Sequence, residues 1–104
     1  HAGIRLMLFM VHATDKPGAL DIRLASRPAH LDWLTAAGPA IKAAGPWLGS
    51  DDKPAGSLLI VEMESRAALD AWLATDPYAL AGLFQSVEAA PYKWVFNPPA
   101  DLAP

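Results

Sequence analysis

The sequence lacks cysteine and has few charged residues, and each shortage excludes a class of protein. Without cysteine there is no disulfide framework, no thiolate nucleophile and no cysteine-based zinc site. This absence fits a reducing cytoplasm, where we expect the protein to lie. Charged residues make up 18% of the chain and the formal net charge is −3, without a run of basic residues. Binding to nucleic acid or to an anionic membrane surface is therefore not expected.

Long apolar runs and known cofactor motifs are missing as well. The longest apolar run, residues 6–11, is far shorter than the roughly 20 residues of a membrane-spanning helix, and no signal peptide is visible. The three histidines are scattered, and neither a glycine-rich phosphate loop nor a G-x-S-x-G elbow is present. We therefore expect neither a metal ion nor another cofactor.

Apolar residues, in contrast, are abundant and make up 53% of the 104 residues. A chain of this length has room for one domain with one core. A small monomer has too much surface to bury so many apolar side chains, which indicates that a partner covers part of them. We expect one domain over residues 1–97, followed by a proline-rich tail at 98–104.

Four stretches have the pattern of β-strands. In residues 4–11 the side chains of both faces, at odd and at even positions, are apolar, as in a strand that is covered on both faces. Residues 57–64 predict a second apolar strand. Residues 87–96 predict the last strand. Residues 39–48 contain prolines, which are tolerated at the edge of a sheet, so we expect an edge strand there and a hairpin loop over 49–56.

Helical spacing follows the first strand and again the strand over 57–64. Leucines recur at helical spacing over residues 20–34, and Gly38 is suited to end this helix. Because Pro28 interrupts the stretch, it forms either one helix or two. Ser65 is suited to cap a further helix, with Leu69, Trp72 and Leu73 at helical spacing, and this helix is expected to stop at Thr75-Asp76-Pro77.

The order β-α-β-β-α-β predicts an α+β, ferredoxin-like fold, in which an antiparallel sheet has its helices on one face. The first and third strands, which are the most apolar, are expected at the centre of the sheet. The other face of the sheet is then open in a monomer. Since the first strand is apolar on both sides, we expect a second copy of the chain to cover that face and form a homodimer.

His30 is the first candidate for a functional residue. Arg27 and Arg23 precede it by three and seven residues, so a helix places all three side chains on one face, where buried and exposed surface meet. Such a histidine is commonly a boundary residue, and a catalytic role requires a partner. Asp76, before Pro77, is suited to start a helical turn. It is also a carboxylate that can orient His30, since both helices are expected on the same face of the sheet.

Gly45, Pro46 and Trp47 form the next candidate, a turn-forming pair followed by a large aromatic residue. They form either a bend in the edge strand with a core or interface tryptophan, or one wall of a ligand pocket. Tyr78 offers a second wall. His12 could reach the same pocket, although a solvated loop position is the simpler expectation.

An ordered set of residues resembles the YciI-like (YCII-related) family. The set consists of Asp15, Arg23, Arg27-Pro28-x-His30-Leu31, Gly45-Pro46, Ser65 and Asp76-Pro77-Tyr78, before a last strand that follows Pro91. The resemblance covers nearly the whole chain. It implies a ferredoxin-like fold, a dimer of the dimeric α/β-barrel kind, and an active site built on a histidine and an aspartate, which map onto His30 and Asp76. Some members look like dechlorinating enzymes that act on hydroxylated aromatic rings.

These observations favour a small enzyme without a cofactor. His30 is expected to be the general acid or base, oriented by Asp76, while Arg27 and Arg23 hold an anionic or phenolic oxygen of a small substrate. Elimination, dehalogenation and hydrolysis need only such a pair. Two alternatives remain open: a non-catalytic ligand-binding or accessory domain with the same pocket, and a cofactor-free monooxygenase on the same architecture.

Overall fold

A computed structural model of the chain describes residues 6–102. Four strands, three α-helices and two short 3-10 turns follow one another along this part of the chain. In order they are β1 (Met7–Asp15), α1 (Leu20–Ala37), a 3-10 turn (Gly38–Ala40), β2 (Ile41–Leu48), β3 (Pro54–Met63), α2 (Arg66–Leu73), α3 (Pro77–Leu80), β4 (Phe84–Pro91) and a 3-10 turn (Ala100–Leu102).

The strands form one antiparallel sheet in the spatial order β2-β3-β1-β4. The first and third strands are therefore central, as the sequence predicts, and the α+β, ferredoxin-like arrangement is confirmed. The predicted edge strand is also confirmed, because among residues 6–102 β2 pairs with β3 alone. In the central pair, Phe9 lies opposite Val61.

The core lies between the helices and one face of the sheet. Phe9 and Val11 in β1 lie beside Leu59 and Val61 in β3, and all four pack with Leu69 of α2. Alternation along each strand brings these side chains to the same face. Burial of each such side chain contributes roughly 1.5–3 kcal/mol to the free energy of unfolding. This face of the sheet also positions the site described below.

The opposite, open face of the sheet contains His12 and Trp47. The two rings are stacked, with their centroids 5.4 Å apart. The indole N–H donates a hydrogen bond to the carbonyl of Ala13 at 2.9 Å. The indole ring of Trp47 lies so close to Gly56 that a Cβ atom at position 56 would be 2.1 Å from Trp47 Nε1. Glycine at position 56 is thus required for this packing.

Helix α1 is continuous through Pro28, and its buried side differs from the prediction. Leu24 and Leu31 are 51% and 49% exposed, whereas Arg23 and His30 are 4% and 6% exposed. The expectation that His30 lies at the boundary of the buried surface was wrong. Polar side chains are buried here because other elements supply their hydrogen-bond partners, and helical periodicity does not reveal those partners.

Several strand boundaries also differ from the prediction. Strand β3 begins at Pro54, within the hairpin loop predicted over 49–56. Strand β1 continues through the predicted loop at His12 as far as Asp15, because it pairs with both neighbouring strands up to Thr14. Strand β4 runs from Phe84 to Pro91, and the N–H of Tyr92 just after it still donates to the carbonyl of Leu8 at 2.9 Å. The predicted strand over 87–96 was therefore placed too late. Residues 4 and 5, predicted to begin the first strand, lie outside the described residues.

The C-terminal segment is attached to the edge strand by an ion pair. Lys42 Nζ in β2 lies 2.5 Å from Asp101 Oδ2 and 3.5 Å from Glu62 Oε1. The hydrogen bond to Asp101 raises the pKa of Lys42, and the same contact lowers the pKa of the Asp101 carboxyl.

Within residues 6–102, none of the helices has the length and apolar character that crossing a bilayer requires.

Candidate active site

His30 and Asp76 lie side by side between the helices and the sheet. His30 Nδ1 is 2.8 Å from Asp76 Oδ1, and Asp76 is only 2% exposed. The same Oδ1 atom accepts a hydrogen bond from the backbone N–H of Tyr78 at 2.9 Å, so Asp76 also caps α3. An ionised carboxylate only accepts hydrogen bonds, so in a pair with ionised Asp76 the imidazole donates from Nδ1. In the neutral ring, Nε2 then has a free lone pair.

A cavity of about 180 Å³ opens beside this pair. It lies between α1, α3 and the strands β2 and β3, and its lining includes Arg27, His30, Gly45, Pro46 and Tyr78. An engineered apolar cavity of about 150 Å³ binds one benzene molecule. The cavity therefore has the size for a single substituted six-membered ring.

Tyr78 packs flat against the imidazole. The two ring centroids are 3.9 Å apart and the ring planes differ by 16°. The guanidinium Cζ of Arg23 lies 4.7 Å from the centroid of the same tyrosine ring. Tyr78 is buried with Ala19 and Leu83, and this burial raises the pKa of its hydroxyl group. The phenol is therefore neutral at ordinary pH.

The charge of Arg23 is matched by Asp15. The Nε and Nη2 atoms of Arg23 donate to the two carboxylate oxygens of Asp15 at 2.7 and 3.0 Å, and Nη2 also donates to Ser57 Oγ at 2.8 Å. Burial lowers the pKa of Arg23, but the hydrogen bonds and charge of Asp15 outweigh it and raise the pKa above its usual value. Arg27, in contrast, is exposed at the cavity and forms no ion pair with any described residue.

The structure brings together every predicted site residue except Trp47. Pro46 lines the cavity, and its neighbour Trp47 points to the other face of the sheet because successive strand residues alternate. His12, which stacks on Trp47, is likewise remote from the cavity. Neither residue forms a wall of this pocket, contrary to the expectation for Trp47.

Two residues that fix Arg23 were not predicted as part of the site. Asp15 ends β1, and its carboxylate contacts Arg23 of α1. Ser57 shares the buried face of β3 with Leu59 and Val61. Ser57 could have been found from the sequence, because it is a polar residue at one of the alternate strand positions that are otherwise apolar.

Within residues 6–102, no group of three or more His, Asp or Glu side chains is placed to hold a metal ion.

Solved structures with the same fold define the class of this protein. A 5-chloro-2-hydroxyhydroquinone dehydrochlorinase from Burkholderia phenoliruptrix, in complex with 2,5-dihydroxybenzoquinone, superimposes with a TM-score of 0.80 and 35% sequence identity, over 84% of this chain and 94% of that chain. An antibiotic biosynthesis monooxygenase, 23% identical, has a TM-score of 0.54 over 88% of this chain and 99% of its own, which shows a shared fold alone. The fold that these structures share with this chain is the α+β, ferredoxin-like arrangement described above.

Sequence comparison then gives the family. The YCII-related domain matches residues 7–93. Protein YciI of Escherichia coli O6:H1 is 39% identical over 103 residues, which span 86% of this chain and all of that protein. An uncharacterized protein of Haemophilus influenzae is 36% identical over 98 residues, with the same shares covered. The chain belongs to the YCII-related family.

Proposed function

We propose that this protein is a small enzyme, independent of cofactors, that uses His30 for acid and base steps on a hydroxylated six-membered ring. The proposal rests on the buried His30–Asp76 contact of 2.8 Å beside a cavity of ring size. The similar dehydrochlorinase, named for a chlorinated hydroxyhydroquinone and complexed with a dihydroxybenzoquinone, supports this class of substrate. General acid–base catalysis by one positioned side chain contributes about 10²- to 10⁴-fold to the rate.

Each residue of the cavity has a role in this proposal. Asp76 holds the proton on Nδ1 of His30, so that Nε2 exchanges protons with the ligand. Arg27 binds a phenolate oxygen, because it is the cavity cation without an ion-pair partner among the described residues. A hydrogen bond to a charged group of this kind is worth about 1.5–3 kcal/mol. The half-exposed side chains of Leu24 and Leu31 contact the faces and edges of the ring.

With a halogenated hydroquinone, the reaction is loss of halide from the monoanion. The imidazolium of His30 gives its Nε2 proton to the ring carbon that bears the halogen, while the phenolate held by Arg27 becomes a ketone. The carbon–halogen bond then breaks and the halide leaves with the bonding electrons. The neutral imidazole takes the proton of the second hydroxyl group, which becomes the second carbonyl. The ring is oxidised to a quinone while the halogen-bearing carbon gains hydrogen, so no external oxidant is needed.

Chloride release under nitrogen tests this function. The purified protein is given chlorohydroquinone or 5-chloro-2-hydroxyhydroquinone, and we expect equal amounts of chloride and quinone, lost in His30→Gln. Arg66→Lys, on the exposed side of α2, is the control with normal turnover. Absence of chloride release from both compounds would refute the dehalogenase function. Binding of 2,5-dihydroxybenzoquinone without any turnover would favour the ligand-binding alternative, and oxygen uptake with a quinol would favour the monooxygenase alternative.

We also propose that a second copy of the chain covers the open face of the sheet. On this face the exposed Leu58 lies next to Met10 and Ile60, which oppose each other in the register. An apolar share of 53% exceeds what one small core buries. An obligate interface of this kind buries roughly 2,000 Å² or more in total.

A cytoplasmic location, expected from the lack of cysteine, stays a prediction.

A further inference from the structure

Arg23 is fixed in place by two strands of the sheet. Its guanidinium donates to both carboxylate oxygens of Asp15 at the end of β1 and to the hydroxyl of Ser57 in β3. The side chain is 4% exposed and its charge is matched by Asp15. A bidentate arginine–carboxylate pair holds the planar guanidinium in one orientation. Arg23 is therefore a rigid part of the cavity wall, unlike Arg27, which is exposed and has no ion-pair partner within residues 6–102.

Tyr78 connects this fixed guanidinium to His30. The tyrosine ring lies 4.7 Å from Arg23 Cζ and 3.9 Å from the imidazole centroid, in nearly parallel contact with the imidazole. Arg23 and His30 are seven residues apart on α1, which corresponds to a rise of about 10.5 Å along the helix. The tyrosine ring thus contacts two side chains that stand two helical turns apart.

We infer that Arg23 and Tyr78 are positioning residues, which fix the plane of the His30 imidazole so that Nε2 faces the cavity. The hydrogen bond to Asp76 holds one atom of the ring, Nδ1, and leaves a limited rotation of the ring plane through χ1 and χ2. A flat neighbour removes this rotation, and a tyrosine ring that is itself held against a fixed guanidinium is such a neighbour. Arg23 therefore acts on His30 through Tyr78, and the binding of an anionic ligand falls to Arg27 alone.

NMR of the unliganded protein tests the positioning directly. The tyrosine ring current should shift the Hδ2 and Hε1 signals of His30 upfield. Arg23→Lys keeps the charge beside Asp15 but lacks the planar group, and we expect it to move both signals toward their random-coil positions. Tyr78→Phe keeps the stacked ring and should leave most of the upfield shift. Arg66→Lys, which alters an arginine on the exposed side of α2, is the matched control.

Unchanged His30 signals in folded Arg23→Lys would overturn the inference. If Arg23→Lys fails to fold, the paired change of Asp15→Asn with Arg23→Gln replaces the buried ion pair by two neutral amides. The same movement of the His30 signals is expected there, and parent-like signals would again count against the positioning role. Neither result depends on turnover.

Ligand binding separates positioning from substrate contact. With 2,5-dihydroxybenzoquinone as the probe, we expect the Kd of Arg23→Lys to stay within about twofold of the parent, and that of Arg27→Gln to rise roughly 10-fold or more through loss of a charged hydrogen bond. Equal weakening by both variants would mean that Arg23 also binds the ligand, and would overturn the division of roles.

The kinetic consequence rests on the proposed function. If the parent releases chloride, Arg23→Lys should lower kcat roughly 10- to 100-fold with little change in KM, because a misplaced catalytic group affects the reacting complex. Arg27→Gln should mainly raise KM. A parent without turnover would refute the proposed function but leave the NMR result standing. An unchanged kcat in folded Arg23→Lys would contradict the positioning role.

Discussion

His30 Nδ1 and Asp76 Oδ1 are 2.8 Å apart, although the two residues are 46 positions apart in the sequence. The contact forms because α1 and α3 pack against each other on the same side of the sheet. Asp76 is held by its own helix as well, since its Oδ1 atom accepts the backbone N–H of Tyr78. The carboxylate therefore cannot turn away from the imidazole without uncapping α3.

Asp76→Asn separates the two functions of this carboxylate. Asparagine caps a helix about as well as aspartate, so we expect the thermal unfolding midpoint to change little. It cannot stabilise an imidazolium as a carboxylate does, so chloride release should fall on the order of 100-fold. Asp70→Asn, at an exposed position of α2, is the control for the substitution itself. Parent-like turnover in a folded Asp76→Asn protein would show that the pair is not catalytic.

The dimer can be tested through the open face of the sheet. Light scattering at micromolar concentration should give twice the 11.1 kDa mass of one chain. Leu58→Lys places a charge on that face and should shift the protein toward one chain. Leu80→Lys, at an exposed apolar position on the helical side, should leave the dimer intact. If the parent protein has the mass of one chain, the proposed interface is refuted, and so is the proposal that a second copy covers the excess apolar residues.

Tyr78 makes stability depend on pH in the alkaline range. Burial raises the pKa of its hydroxyl above that of the unfolded chain. Below about pH 10 both states hold the proton and the contribution is constant; above it the unfolded state ionises first, so the free energy of unfolding falls as pH rises. Urea midpoints near pH 8 and about pH 10.5 should differ more in the parent than in Tyr78→Phe, which keeps the smaller alkaline loss due to Lys42.

The control for that titration is Tyr92→Phe, at an exposed position after the last strand. It should retain the decline seen in the parent. The same decline in Tyr78→Phe would show that another group is responsible for the alkaline loss of stability.

Leu69 tests the packing of α2 on the sheet. It is fully buried among residues of β1 and β3. Leu69→Ala should therefore lower the free energy of unfolding by about 2–5 kcal/mol, through lost apolar burial and the cavity left behind. Leu80→Ala, at an exposed position, should change it by about 0.5 kcal/mol or less. Denaturant unfolding of both variants decides the matter, and similar small losses would mean that α2 does not pack as described.

Local features of the structure could be predicted from the sequence. The Ser65 hydroxyl accepts the backbone N–H of Ala68 at 3.0 Å, as expected of a helix cap, and Asp76 starts α3 before Pro77. Helix α1 ends before Gly38, which has the positive φ expected there. Each of these depends on residues within a few positions in the chain, which is why the element order followed from the sequence.

Features that depend on distant partners could not be predicted in the same way. His30 and Arg23 are buried because Asp76 and Asp15 arrive from other elements, and no spacing within α1 indicates this. The position of Trp47 depends on the register of β2, whose pairing with β3 shifts at both ends. Alternation gives two faces but does not say which one meets the helices, so the sequence could not decide between the pocket-wall and the interface position of Trp47.

The most direct test of the His30–Asp76 pair is the tautomer of His30 in the unliganded protein. A long-range ¹H–¹⁵N spectrum, recorded where the imidazole is neutral, distinguishes a protonated Nδ1 from a protonated Nε2. We predict the Nδ1–H form, with the proton shared toward Asp76 and Nε2 free to accept a proton in the cavity. A His30 ring that is protonated at Nε2 instead would contradict the contact with Asp76 and leave the proposed enzyme without its base.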